Sequence, residues 1–173
     1  SYNQGIYLER ALRSVIEQRG CEIEYIVLDG GSTDCSVQLL EKYNSDIYRW
    51  QSCPDGGQSR AINTGIKWAR GEVVGWLCSD DYLLPGALSR VSDFFSKNED
   101  VGFVWGDALL VDEGEKFISY KREPKFRPFI ALFDHNYLPQ PACFWRRSLF
   151  NAIDGLDDEL TVTMDLDLWL RML

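Results

Sequence analysis

Two aspartates, Asp80 and Asp81, stand side by side just after the apolar run "EVVGWLC" (72–78). Adjacent carboxylates repel each other and resist desolvation. Capping of a helix starting near Pro85 would account for them, and so would ligand binding. Spacing alone leaves the two level. One point of chemistry favours a ligand. Mg²⁺ and Mn²⁺ prefer hard oxygen donors, and one or two protein carboxylates suffice when substrate phosphates supply the rest. Such a cation would also let an acidic pocket accept a diphosphate.

Two more polar clusters stand at the ends of strand-like runs, "SYN" (1–3) and "DGGSTD" (29–34). In the second, Ser32 to Asp34 read as a turn and helix start. Asp29 sits at the strand tip, where a ligand edge could be read, and Gly30 and Gly31 allow close backbone approach. These glycines match neither the G-x-G-x-x-G spacing nor a Walker loop. A late acidic pair, Asp165 and Asp167, lies in "MDLDLWLRML" (164–173). Two residues apart on a helix, they diverge, so at most one faces a given pocket. His135 is the only histidine, and nothing around it supports a nucleophilic triad. Arg146 and Arg147 could grip phosphate, although a solvated strand end is the plainer reading.

The elements that must position these groups follow from hydrophobic periodicity. Leu8, Leu12, Val15 and Ile16 mark a helix over 5–19. Strands are expected at 23–29, 47–50, 72–78, 101–105 and 141–146. Helices are expected at about 34–43, through Ala61–Ala69, after Pro85 with Leu88, Val91, Phe94 and Phe95 inward, near 127–133, and from about 165. Residues 108–120 read as a hairpin turning at Glu113-Gly114, and 53–58 as a loop. Alternating strands and helices imply an α/β domain with a largely parallel sheet, whose ligands bind beyond the strands' carboxyl ends. The opening helix implies a strand before it, missing here or present only as its last residue.

The 173 residues, 45% of them apolar, suit one domain with a sizeable core. Lys plus Arg number 18 and Asp plus Glu 27, a net charge of −9, which argues against a nucleic-acid surface. Five cysteines without a C-x-x-C pair argue against a zinc site or disulfide framework and favour a reducing compartment. No run is long enough for a membrane span. Beginning at Ser1 without an initiator Met and stopping inside a helical segment, the chain is expected to be a piece of a longer protein.

In this order, "SYNQ", "EYIVLDGGSTD", "PDGGQSRAINTGIKWARGEVVGWLCSDDYLLPGAL" and "MDLDLWLR" resemble glycosyltransferase family 2, nucleotide-sugar transferases with the GT-A fold. The resemblance implies an α/β GT-A domain, a mostly parallel central sheet flanked by helices. It places Ser1, Tyr2 and Asn3 against the base and ribose. It places Asp29 in a base-reading pair of aspartates whose second member is Gly30 here. It gives Asp80 a ribose or sugar contact, and Asp81 the Mn²⁺ or Mg²⁺ that holds the diphosphate. Asp165 becomes the catalytic base of an inverting transfer. Cys78 and Met164 stand where the family usually has acidic residues.

The implied partners are a nucleotide-sugar donor, in first place a UDP-sugar, and a saccharide or lipid-linked saccharide acceptor. The implied process is synthesis of a bacterial surface polysaccharide such as O-antigen. The implied place is the cytoplasm, with peripheral association at the inner face of the membrane. The three departures at Gly30, Cys78 and Met164 motivate an alternative, a degenerate module that binds nucleotide-sugar without turnover. A metal-dependent phosphohydrolase would use Asp80 or Asp81 but leave "MDLDLWLR" without a role.

Overall fold

The computed structural model describes residues 1–122 and 138–173. The helix expected near 127–133 and His135 lie outside them. In chain order the elements are α1 (Gly5–Ile16), β1 (Ile26–Asp29), α2 (Ser36–Lys42), β2 (Arg49–Ser52), α3 (Gln58–Trp68), β3 (Val73–Val74), α4 (Ala87–Lys97), β4 (Phe103–Trp105), β5 (Ala108–Val111), β6 (Phe117–Lys121), a 3-10 turn (Gln140–Ala142), β7 (Cys143–Arg146), α5 (Arg147–Ala152) and α6 (Met164–Met172). Strands and helices alternate through the first hundred residues, as the periodicity predicts.

β1 and β2 run parallel, with Asp29 opposite Ser52. β7 lies between β3 and β4 and runs antiparallel to both, so β3 and β4 share a direction. β5 and β6 form the expected hairpin. Its tip is tied to α1 by Arg10 and Glu115 at 2.8 Å.

Two apolar clusters organise the described residues. Leu8 and Leu12 of α1, Val27 of β1, Leu40 of α2 and Ile47 form one. The apolar spacing of α1 is thereby explained, since Leu8, Leu12 and Val15 are all buried. The other gathers Ile66, Val74, Phe103, Trp145, Phe150, Leu168 and Trp169 around β3, β4 and β7. Helix α3 serves both sides: Ile66 enters the second cluster, while Gly65 brings the helix against Leu28 of β1.

Three expectations need correction, and one helix was not expected. The run 72–78 pairs as a strand only at Val73 and Val74. Beyond them a side chain replaces the ladder, as Gln140 Nε2 donates to the Trp76 carbonyl at 2.8 Å. Pro85 precedes α4, whose N-cap is Gly86 in the left-handed region at φ 76°. Only Phe95 of the expected inward face is buried. Leu88 and Val91 are half-buried and turn to the same interior slot as Phe95, but Phe94, one residue and about 100° away on the helix, is exposed. Helix α5 was not expected, since its single turn and a half is too short to show a period.

Arg146 and Arg147 are also placed differently. Because β7 is antiparallel, Arg146 lies opposite Val73 at the start of β3, the end remote from Asp80. Arg146 donates to the carbonyls of Val101, Phe95 and Asn98. Arg147 donates to those of Gly71 and Arg70. Both are braces rather than phosphate ligands.

Candidate active site

Among the described residues β1 pairs with β2 and β3 with β7, and Ser1 runs along the other edge of β1. Between β1 and β3 runs a cleft of about 2100 Å³. Its apolar part, with Ile26, Leu28, Val73, Val74 and Phe95, continues the line of Ser1 along β1, the place of the strand expected before α1, and its mouth at the strands' carboxyl ends is polar, with Ser1, Tyr2, Asp55, Cys78 and Asp80. This is where an open α/β sheet binds ligands.

Ser1 lies alongside β1. Its amine donates to Leu28 O at 2.9 Å, and its carbonyl accepts from Gly30 N at 2.8 Å. These are the two bonds of a parallel pairing centred on Asp29. Tyr2 follows with its ring 63% exposed in the mouth of the cleft. Asn3, at φ 50°, turns the other way. Its backbone N–H donates to Ser32 Oγ at 2.7 Å, and its Oδ1 accepts from Thr33 N at 2.8 Å. Asn3 therefore fastens Tyr2's loop to the 29–34 turn and is not among the cleft's lining residues.

Asp29 is buried, at 2% exposure. Its Oδ1 accepts from Ser32 Oγ at 2.5 Å. Its Oδ2 accepts from Ser52 Oγ at 2.6 Å, Ser32 N at 2.8 Å and Gly31 N at 3.2 Å. Burial alone would raise its pKa, but the hydrogen bonds from Ser32 and Ser52 outweigh it and hold the group below the usual carboxylate range. All this bonding is to its own turn and to β2, so the geometry makes Asp29 an organiser of the loop. Asp34 does similar work nearby, as expected of a cap. Its two oxygens accept from Gly5 N, opening α1, and from Ser36 N, opening α2.

Across the cleft, Asp80 is exposed and Asp81 half-buried. Asp81 N donates back to Cys78 O at 3.1 Å, a turn that folds the two residues together. The ligand atoms of Cys78, Asp80 and Asp81 all lie within 4.8 Å of one another. Burial first, and the Asp80 charge second, push the Asp81 pKa up to about 6. Burial and both carboxylates push the Cys78 thiol up to about 11. The Cys78 sulfur is steadied by Gln58 Nε2 at 3.4 Å and Gln140 Oε1 at 3.5 Å. Two carboxylates held together against their mutual repulsion suit a hard divalent cation, and a neutral thiol adds no competing charge.

α6 brings the late acidic pair. Asp167 is engaged by its own helix, with Arg171 Nη2 at 2.6 Å and Nε at 2.9 Å. Asp165 accepts from Leu166 N at 2.9 Å, and its charge reaches the buried Cys143 thiol, whose pKa rises chiefly through burial and secondarily through Asp165. Asp165 does not line the cleft wall. It is joined to the Asp80 side through aromatic stacking, since Trp169 of the same helix lies against Trp76 at 5.5 Å and 11°. Met164 is buried, and Ser59 Oγ donates to its sulfur at 2.9 Å and to Leu160 O at 2.9 Å.

The sequence reading passed over Asp55, Gln58 and Gln140. The signal for the first two was present, because "CPDGGQ" follows β2 and β2 ends beside β1. A loop after a parallel strand opens on the same edge as its neighbour's. Gln140 carried no local signal.

The fold is GT-A. The family model for glycosyl transferase family 2 matches residues 1–154, and the chain belongs to that family. It is 32% identical over 173 residues to an uncharacterized glycosyltransferase of Mycobacterium tuberculosis, covering 99% of this chain and 65% of the relative. It is 26% identical over 181 residues to a chondroitin synthase of Pasteurella multocida, covering 99% of this chain and 18% of that protein. Among solved structures it is similar to S. aureus TarS 1-349 in complex with UDP, with a TM-score of 0.71 and 24% identity over 96% of this chain and 51% of that one. A mannosyltransferase of Pyrobaculum calidifontis, in complex with GDP-Man and Mn²⁺, has a TM-score of 0.67 at 17% identity over 98% of this chain and 49% of that one. The chain thus spans about half the length of these solved structures.

Proposed function

We propose that the chain is the donor-binding and catalytic part of an inverting glycosyltransferase. It would move a sugar from a nucleotide-diphosphate sugar, of the UDP class, to the hydroxyl of a saccharide or lipid-linked saccharide. The observation that carries this reading is the grouping of Cys78, Asp80 and Asp81 within 4.8 Å at the mouth of a cleft whose opposite wall is Tyr2 and the 29–34 turn.

Asp81, with Asp80 beside it, would hold the Mn²⁺ or Mg²⁺. When bound, that ion would supply positive charge to the departing diphosphate. Tyr2 offers an aromatic face to the base, and Asp29 keeps the loop beneath it in shape. Asp80, the exposed member of the pair, is the sugar or ribose contact. Asp165 accepts the proton of the acceptor hydroxyl as its oxygen bonds to the anomeric carbon. The bond from that carbon to the diphosphate breaks on the opposite face, and its electron pair leaves with the diphosphate. No covalent enzyme intermediate is needed.

The wider setting we propose is bacterial surface-polysaccharide synthesis, in the cytoplasm and at the inner face of the membrane. The membrane contact we propose is peripheral; no helix among the described residues is long and apolar enough to cross a membrane.

The test is sugar transfer from a panel of UDP-sugars to saccharide acceptors, with and without Mn²⁺, using the whole protein. Donor-dependent transfer that stops on chelation is the expected result. Tight donor binding without transfer to any acceptor would replace this reading with the non-catalytic binding module. Met164 favours that rival, because a buried thioether fills a place where the family resemblance expects an acid.

A further inference from the structure

Gly30 ends the sequence "LDG" at the tip of β1, where a second acidic side chain is expected and none exists. A Cβ placed on Gly30 would meet Asp55 Oδ2 at 3.2 Å and Tyr2 Cδ2 at 3.3 Å. The space of the missing side chain is therefore already filled, and what fills it is a carboxylate. Asp55 arrives from the neighbouring strand. β1 and β2 leave the sheet side by side, with Asp29 paired to Ser52 and Cys53 N donating to Asp29 O at 3.0 Å. The loop after β2 thus folds over the end of β1.

The carboxylate is oriented. Asp55 Oδ1 accepts from Gly57 N at 2.9 Å. Oδ2 accepts no hydrogen bond among the described residues, and the side chain lines the cleft beside the exposed Tyr2 ring. One fixed acceptor thus stands next to one aromatic face.

We propose that Asp55 reads the donor's base and selects uracil. The proposal rests on the transferase reading above. A carboxylate accepts and does not donate, and with Oδ1 turned to Gly57 N, Oδ2 is the oxygen that faces the Tyr2 side. Uracil presents one N–H, at N3, and matches it. Guanine presents two adjacent donors, N1–H and its amino group, which call for both oxygens of a free carboxylate. Cytosine presents a bare acceptor at N3, which Oδ2 repels. Stacking on Tyr2 is tolerant of base identity, so discrimination falls to Asp55.

The experiment is calorimetric titration of the whole protein with UDP, CDP and GDP, each with Mn²⁺, for the wild type, Asp55→Asn and Asp55→Ala. The wild type is expected to bind UDP at least about tenfold tighter than CDP or GDP, the scale of one hydrogen bond to a charged group. Asn keeps the acceptor for Gly57 and turns a donor towards the base. Asp55→Asn should therefore weaken UDP at least tenfold and strengthen CDP, inverting their order. Ala should weaken UDP and leave CDP and GDP little changed. Equal weakening of all three nucleotides would show that Asp55 only shapes the loop, and would overturn the proposal. So would unchanged UDP affinity in Asp55→Asn, or a wild type that prefers GDP; both leave the transferase reading standing. A wild type that binds none of the three overturns that reading and this proposal together.

Discussion

Trp76 and Trp169 stack at 5.5 Å and 11°. Trp76 leads directly into Cys78, Asp80 and Asp81. Trp169 stands one helical turn after Asp165. The two halves of the proposed chemistry, departure of the diphosphate and capture of a proton, are thus held together by one pair of rings, with Trp145 packed edge-on against both. Trp76→Leu should reduce stability by roughly 2–4 kcal/mol through lost packing. It should also lower the transfer rate more than donor affinity, because the donor touches only the Trp76 side. Denaturant unfolding and a split of kcat from donor Kd check this. A variant with full kcat would show that the stack is dispensable for alignment.

Asp165 and Asp167 should behave oppositely. Asp165→Asn is expected to reduce transfer by about 10²–10⁴, the usual worth of a positioned general base, with donor binding retained. Asp167→Asn removes only its pair with Arg171, worth about 0.3–0.5 kcal/mol, and should keep most activity. Steady-state rates with a saturating donor decide between them.

Asp81 gives a stability that depends on pH. Its pKa is raised to about 6 in the folded protein, against about 3.9 unfolded. Between those values the folded state holds the proton more tightly, so stability from this group is present at low pH and lost as pH rises through 6. Without metal, Asp81→Asn should melt higher than the wild type at pH 8, by less at pH 5, and the same below about pH 4, the unfolded value. Mn²⁺ should raise the melting temperature of the wild type at pH 8 and leave that of Asp81→Asn unmoved. An Asn variant less stable at pH 8 would show that the carboxylate is not under strain there.

Asp29 has the opposite sign. Its pKa is held below the usual carboxylate range by Ser32 and Ser52, so its contribution is present above about pH 4, the unfolded value, and is lost as pH falls through the lower folded one. Asp29→Ala should reduce stability at pH 7 by about 3 kcal/mol, since it strands buried donors. It should also flatten the acid limb of the stability curve. Urea titrations between pH 3 and 7 measure both.

Much of this architecture could be read in the residues. The spacing of Leu8, Leu12 and Val15 gave α1, and the order of "SYN", "DGGSTD" and "SDD" gave the three strand ends that meet at the cleft. What periodicity could not give was which neighbour a backbone group chooses. The run through Trp76 looked like a long strand, but the Gln140 side chain took its hydrogen bond. For Arg146 and Arg147 the residues allow an anion grip or, more plainly, a solvated strand end, and the antiparallel course of β7 instead makes them braces at the far end. Asp29 looked like a reader because it stands at a tip, and only the coordinates reveal four donors already on it. Asp55 was hidden for the converse reason. Its importance comes from a side chain that Gly30 lacks.

Helix α3 enters the second apolar cluster through Ile66 and lies against Leu28 of β1 through Gly65, and it begins at Gln58, between the Asp55 loop and Cys78. Its place bears on cooperativity. The first cluster, which holds Val27 of β1, and the second are separate packing units bridged by this helix, so one can loosen before the other and the free protein should melt over a broader range than a single packed core would. A donor spanning the mouth would bridge the loops that follow β1 and β3 and draw the two units into one transition. Nucleotide with Mn²⁺ should therefore sharpen the unfolding curve as well as shift it, and calorimetric and van't Hoff enthalpies should converge only in its presence.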